Sequence, residues 1–152
     1  MREAMTQFRA SLDEFISTEI FPGLCREWLY RQWETLPFHP MYVGANWGEG
    51  IPSIDLVVID REEHGILFGK CCWNKQSINA EEVRTFLEQS KAFNPHPVEE
   101  WNISYAFFSR AGFTKAARRA TEKAKCYWID LEELDSGLQP NENSRNRRRI
   151  RI

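Results

Sequence analysis

The stretch from Ile51 to Trp73, IPSIDLVVIDREEHGILFGKCCW, constrains what this chain can fold into more than any other. Two runs rich in β-branched and large apolar residues flank the polar link Asp60-Arg61-Glu62-Glu63-His64-Gly65. Apolar runs on either side of a glycine-ended polar link read as a β-hairpin. Asp55 stands near the start of the first strand, and the second strand runs from about Gly65 to Trp73. Residues two apart in a strand share a face, so Lys70 and Cys72 point the same way and Cys71 points the other. Pairing with the preceding strand brings Asp55 beside Lys70 and Cys72.

The remaining elements follow from periodicity and punctuation. Met5, Phe8, Leu12, Phe15 and Ile16, at three- and four-residue spacings, predict a helix from about residue 2 to 17. A second helix is expected to reach about residue 34, capped by Thr18 and with Pro22 in its first turn. Pro22-Gly23 argues against one unbroken helix. Residues 41–47 read as a short first strand. Asn79 caps a helix over about 80–93, with Val83, Phe86 and Leu87 as its apolar stripe. Residues 101–109 are almost wholly apolar, as a strand covered on both faces would be. Thr114 opens a basic helix carrying Lys115, Arg118, Arg119, Lys123 and Lys125, and residues 126–131 form a last strand. The order α-α-β-β-β-α-β-α-β predicts one α/β domain over residues 1–135, with a mixed central sheet flanked by helices. Residues 136–152 lose apolar content and read as a disordered basic tail.

Charge is distributed unevenly. The last 17 residues hold five Arg and one Glu, whereas the other 135 hold 15 basic and 21 acidic residues. The tail arginines, among them Arg145, Arg147, Arg148 and Arg149, are candidates for contact with nucleic acid or an acidic partner. Lys115, Arg118 and Arg119 are candidates for phosphate contact. The four cysteines, Cys25, Cys71, Cys72 and Cys126, do not form a metal-ligand pattern, and Met1-Arg2-Glu3 leads into an amphipathic segment where a signal peptide would be apolar, so a reduced, cytoplasmic setting is expected. No apolar run approaches the roughly 18–20 residues that a membrane span needs. Trp47, Trp73, Trp101 and Trp128 read as packing residues, and His39, His64 and His96 as loop residues.

Ile-Asp-Leu-Val-Val-Ile-Asp followed by Leu-Phe-Gly-Lys-Cys-Cys-Trp resembles the second and third strands of the PD-(D/E)XK nuclease superfamily. More narrowly, it is similar to the uncharacterised domain found C-terminal to archaeal-type AAA ATPases, whose second segment reads Gly-Glu-Cys-Lys-Trp. The resemblance implies a restriction-endonuclease-like fold and a site at Asp55, Lys70 and Cys72. In an intact site two carboxylates hold Mg²⁺, which polarises the phosphate, and a lysine steadies the attacking water. Here Lys70 stands in the Glu position and Cys72 in the Lys position, so only Asp55 remains as a metal ligand. The family's first-helix acids are replaced by Pro22-Gly23, although Phe21 and Cys25-Arg26-Glu27 are kept.

A remnant site without activity is therefore expected, with Asp55 and Lys70 joined in a salt bridge and no cofactor held. The domain then serves as an accessory or DNA-binding module beside an AAA ATPase in a separate chain or missing segment. This chain has no phosphate-loop motif of its own. One alternative is an active Mg²⁺-dependent nuclease that borrows Glu81, Glu82, Gln89 or Lys91 from the following helix, Lys75, or Glu19 or Glu27. The other is a structural protein-interaction domain, which predicts an exposed apolar patch including Trp33 or Phe38.

Overall fold

The hairpin is the centre of a five-stranded sheet whose strands lie in chain order. A computed structural model describes residues 1–37, 39–40, 42–45, 54–92, 100–121 and 123–140. Strands β1 (Tyr42–Ala45), β2 (Leu56–Asp60) and β3 (Gly65–Cys72) form an antiparallel meander. β4 (Asn102–Ser109) and β5 (Lys125–Ile129) then add in parallel to β3. The change from antiparallel to parallel follows from the links. A short turn reverses the chain between β2 and β3, whereas α3 (Ala80–Lys91) and α4 (Lys115–Arg119) carry it back over the sheet. At the β2–β3 turn, the buried Asp60 carboxylate accepts the N–H groups of Glu62 and Glu63 at 2.9 and 3.2 Å.

Alternation along the strands supplies two cores. On one face Leu56, Val58, Leu67, Ala106, Phe108 and Ile129 meet α2 (Phe21–Arg31) and α5 (Leu131–Leu138). On the other, Val57, Ile66, Phe68, Tyr105 and Phe107 meet Val83 and Phe86 of α3 and Ala117 of α4. The result is a mixed α/β fold with helices on both faces of the sheet. Asn79 caps α3 as expected, in a reciprocal box with Glu82.

Three expectations need correction. First, the chain does not break at Pro22-Gly23. α1 (Arg2–Phe15) passes through a π-helical turn (Ile16–Ile20) directly into α2. The wider turn sends the Phe21 N–H back to the Ile16 carbonyl. Pro22 thereby enters α2 in its first turn, where no donor is needed. Thr18 is not a cap; its hydroxyl donates to the Glu14 carbonyl at 2.8 Å.

Second, order continues past residue 135, because α5 runs to Leu138. Asp130 caps it by accepting the Glu133 N–H at 2.9 Å. α5 lies so close to α2 that a Cβ on Gly137 would collide with Trp28 Nε1. Trp28 Nε1 donates to the Glu133 carbonyl at 3.2 Å, and Gln32 donates to the Gly137 carbonyl at 3.1 Å. Third, α4 ends at Arg119, where residue 125 was expected, and Thr114 is its cap.

Unlike α2, α1 buries none of its residues. No described helix is long and apolar enough to cross a membrane.

Candidate functional site at the carboxyl edge of the sheet

The residues singled out by sequence converge where β3 outlasts β2. The register pairs Leu56 with Gly69, so the ladder extended by one step sets Asp55 opposite Lys70. β2 does not take that step as a strand. The Asp55 N–H still reaches the Gly69 carbonyl at 3.0 Å. Its carboxylate then accepts the Cys71 N–H at 2.7 Å, supplying the acceptor that a continuing strand would have offered. Asp55 is thus first of all the cap of a strand edge.

The expected salt bridge is not formed. No ion pair joins Asp55 and Lys70 among the described residues. Lys70 Nζ lies instead over the Phe86 ring, 5.7 Å from its centroid. It lines a groove of about 210 Å³ with Glu81, Glu82, Thr85, Phe86 and Gln89. The ammonium head thus sits over the aromatic face of α3 within the groove, as a cation does on a ring's negative face.

Burial pushes the Asp55 carboxyl above its ordinary 3.8, against the pull of the Cys71 N–H and the Lys70 ammonium. Burial also raises the Cys72 thiol to about 11, helped by Asp55 and Glu82 and opposed by Lys70. On the opposite face, the Cys71 thiol meets the Cys25 thiol of α2, and enclosure together with that contact raises it well above 9.0. Both thiols are therefore protonated at neutral pH. Neither offers the thiolate that a nucleophile or a soft-metal ligand requires.

The candidate replacements are only partly gathered. Glu81 and Glu82 reach the groove beside Lys70, but one Glu82 carboxylate oxygen is committed to the Asn79 N–H at 2.9 Å. Lys91 pairs with Glu88 at 2.6 Å, and Glu27 with Arg31 at 2.8 Å, both exposed. Lys75 and Glu19 are exposed. Among the described residues, no three His, Cys, Asp or Glu side chains are grouped so as to hold a metal ion. Asp55 alone is a poor match for Mg²⁺, which binds through several oxygens.

Sequence reasoning missed the donor groups at this edge. Arg110 follows β4, and its guanidinium stands over the Trp73 ring, 4.6 Å from the centroid. Trp73 also packs against Phe21 of α2 at 5.1 Å. Trp73 Nε1 and Ser109 Oγ are buried without a hydrogen-bond partner among the described residues. Ser109 pairs with Cys72 in the β3–β4 register, so its place was readable once β4 was aligned. Of the basic helix, Lys115 and Arg119 are exposed, and Arg118 leans on Phe113 and Trp128 at 5.6 Å from each ring. Arg145, Arg147, Arg148 and Arg149 lie outside the described residues, as do Trp47, Phe38 and His96. Trp33 is exposed and packs on His39 at 4.9 Å.

A family model for archaeal and bacterial proteins of unknown function, DUF234, matches residues 1–86. That is more than half of the 152-residue chain, and the chain belongs to this family. The match takes in the helical run, β1 to β3 and the first part of α3, and so includes Asp55, Lys70 and Cys72. No curated protein matches the chain. No solved structure matches it either.

Proposed function

We propose that this family member is a catalytically silent, PD-(D/E)XK-like nuclease domain that works as an accessory, DNA-contacting module. One observation carries the proposal: the sole acid of the nuclease motif, Asp55, spends an oxygen on the Cys71 N–H, and among the described residues no second carboxylate completes a metal site. The succession of antiparallel β1–β3 and parallel β4–β5, with α3 between the two sets, also suits that superfamily's core.

Holding without cutting is favoured by the character of the edge. Lys70 and Arg110, both only partly buried, place two cationic hydrogen-bond donors at the carboxyl ends of β3 and β4. Donors of this kind suit phosphate oxygens. Lys115 and Arg119, exposed on α4, add positive charge, as do the tail arginines in the sequence. The similarity to the domain following archaeal-type AAA ATPases makes such an ATPase the partner we propose.

The test is a plasmid and oligonucleotide cleavage assay with Mg²⁺ or Mn²⁺, comparing wild type with Asp55→Ala. Neither protein is expected to cut. DNA binding, read by anisotropy, is expected to weaken steadily as salt rises and to weaken further in a Lys70→Ala/Arg110→Ala double variant. Metal-dependent cutting that Asp55→Ala abolishes would overturn the reading and place the missing ligands on Glu81 and Glu82.

A further inference from the structure

The apolar stripe of α1 has no cover within the described domain. Met5 is 52% exposed, Phe8 63%, Leu12 44% and Phe15 53%, although large apolar side chains at such spacing normally face a core. With Met1 before them, the five stand at intervals of four, three, four and three. That is the strict seven-residue seam of a coiled coil, narrower than the stripe of a helix lying on a globular core.

We infer that α1 is a self-association helix, pairing antiparallel with α1 of a second copy of this chain. Antiparallel pairing follows from the charges beside the seam. Arg9 and Asp13 lie on one flank of α1, four residues apart. Centring two antiparallel helices near Ala10 makes Phe8 face Leu12 and Met5 face Phe15, and it gathers Arg9 and Asp13 of both copies on one flank, the two arginines at the centre and an Asp13 beyond each. The first half of α1 also holds Arg2 and Arg9 against Glu3, and the remainder with its π-turn holds Asp13, Glu14 and Glu19. Parallel pairing would set like against like.

The other flank carries Ala4, Ser11 and Thr18, small enough for two helices to approach closely. Met1, Met5, Phe8, Leu12 and Phe15 expose roughly 600 Å² between them, at the top of what a monomer leaves uncovered. Two such faces offer up to about 1,200 Å² for burial, the lower bound of a specific interface. The pairing is independent of whether the carboxyl edge of the sheet binds or cuts DNA.

Sedimentation velocity of the full chain over a wide concentration range tests it. A monomer–dimer equilibrium is expected, with Phe8→Glu or Leu12→Glu raising Kd by about 30-fold or more. Both positions are exposed in the single copy, so the thermal melt of a dilute sample should hardly move, which separates lost pairing from lost folding. Arg9→Asp and Asp13→Arg are each expected to weaken self-association, and an equimolar mixture of the two variants to recover a dimer. A wild type that stays monomeric throughout would overturn the inference and assign the stripe to another protein's helix. So would a dimer indifferent to Phe8→Glu.

Discussion

α1 and α2 are two halves of one helical run, and their apolar patterns differ only in width, a narrow four–three seam in α1 and a broader stripe in α2. Both carry large apolar residues at three- and four-residue spacings. α2 buries Phe21, Cys25, Trp28 and Leu29, whereas α1 buries nothing. The pattern therefore reports that a helix has an apolar side, and leaves open what lies against it. For α2 the cover comes from far along the chain: Phe108 on β4 at 5.7 Å from Trp28, and α5 beyond it. For α1 it must come from outside the described domain.

Truncation should separate the halves most sharply. Trp28→Ala removes the ring on which α2, α5 and β4 converge and is expected to cost about 3–5 kcal/mol in denaturant unfolding. Phe8→Ala, measured dilute, should fall within about 0.5 kcal/mol of wild type. Equal losses at the two positions would erase the contrast.

A smaller effect is expected where α5 seats on α2. Gly137→Ala sets a methyl against Trp28 Nε1, and a loss of about 1–3 kcal/mol is expected by thermal melt. An unchanged melt would show that α5 shifts freely and that α2 is covered more loosely than Trp28 suggests.

Asp55 tests the strand edge on which α2 rests. Asp55→Ala leaves the Cys71 N–H without its acceptor, for a loss of about 1–2 kcal/mol. Asp55→Asn keeps an oxygen acceptor and removes a buried charge. Because burial raises the carboxyl above 3.8, the folded state binds its proton more tightly than the unfolded chain does. The stabilisation this gives the wild type is full below 3.8 and is lost as pH rises through the folded value. Asp55→Asn should therefore exceed the wild type in stability at pH 7 and lose that advantage in acid. An advantage that instead grew toward low pH would reverse the assignment.

The smallest effect concerns α3, the cover of the other face. Asn79→Ala breaks the reciprocal cap with Glu82 and should cost about 1 kcal/mol in chemical denaturation.

How much of this could be read in the sequence depended on whether the deciding interaction was local. The β2–β3 hairpin and capped α3 were legible because their signals lie within a few residues. The π-turn was not, since Pro22-Gly23 argues for a break unless a widened turn precedes it. α5 left a local trace, with Asp130 and Glu133 at cap spacing and Leu131, Leu134 and Leu138 along one side, but Gly137 and the polar run after it masked the signal. That glycine makes sense only with Trp28 in view. At the edge of the sheet, alternation placed Asp55, Lys70 and Cys72 near one another. It could not tell that Asp55 would cap a backbone donor or that Lys70 would lie on Phe86, because both choices are made by groups distant in sequence.

The uninterrupted passage from α1 to α2 has a mechanical side. Residues 2–31, in two α-helices joined by the π-turn, extend roughly 45 Å at helical rise. This rod is clamped at its far half, where Phe21 and Cys25 bear on Trp73 and Cys71 at the end of β3. A push or twist applied to α1 has no hinge loop in which to dissipate. The π-turn, where the Phe21 N–H bonds five residues back to Ile16, is the rod's one departure from α-helical geometry, and beyond it the rod leads to the strand end held by Asp55.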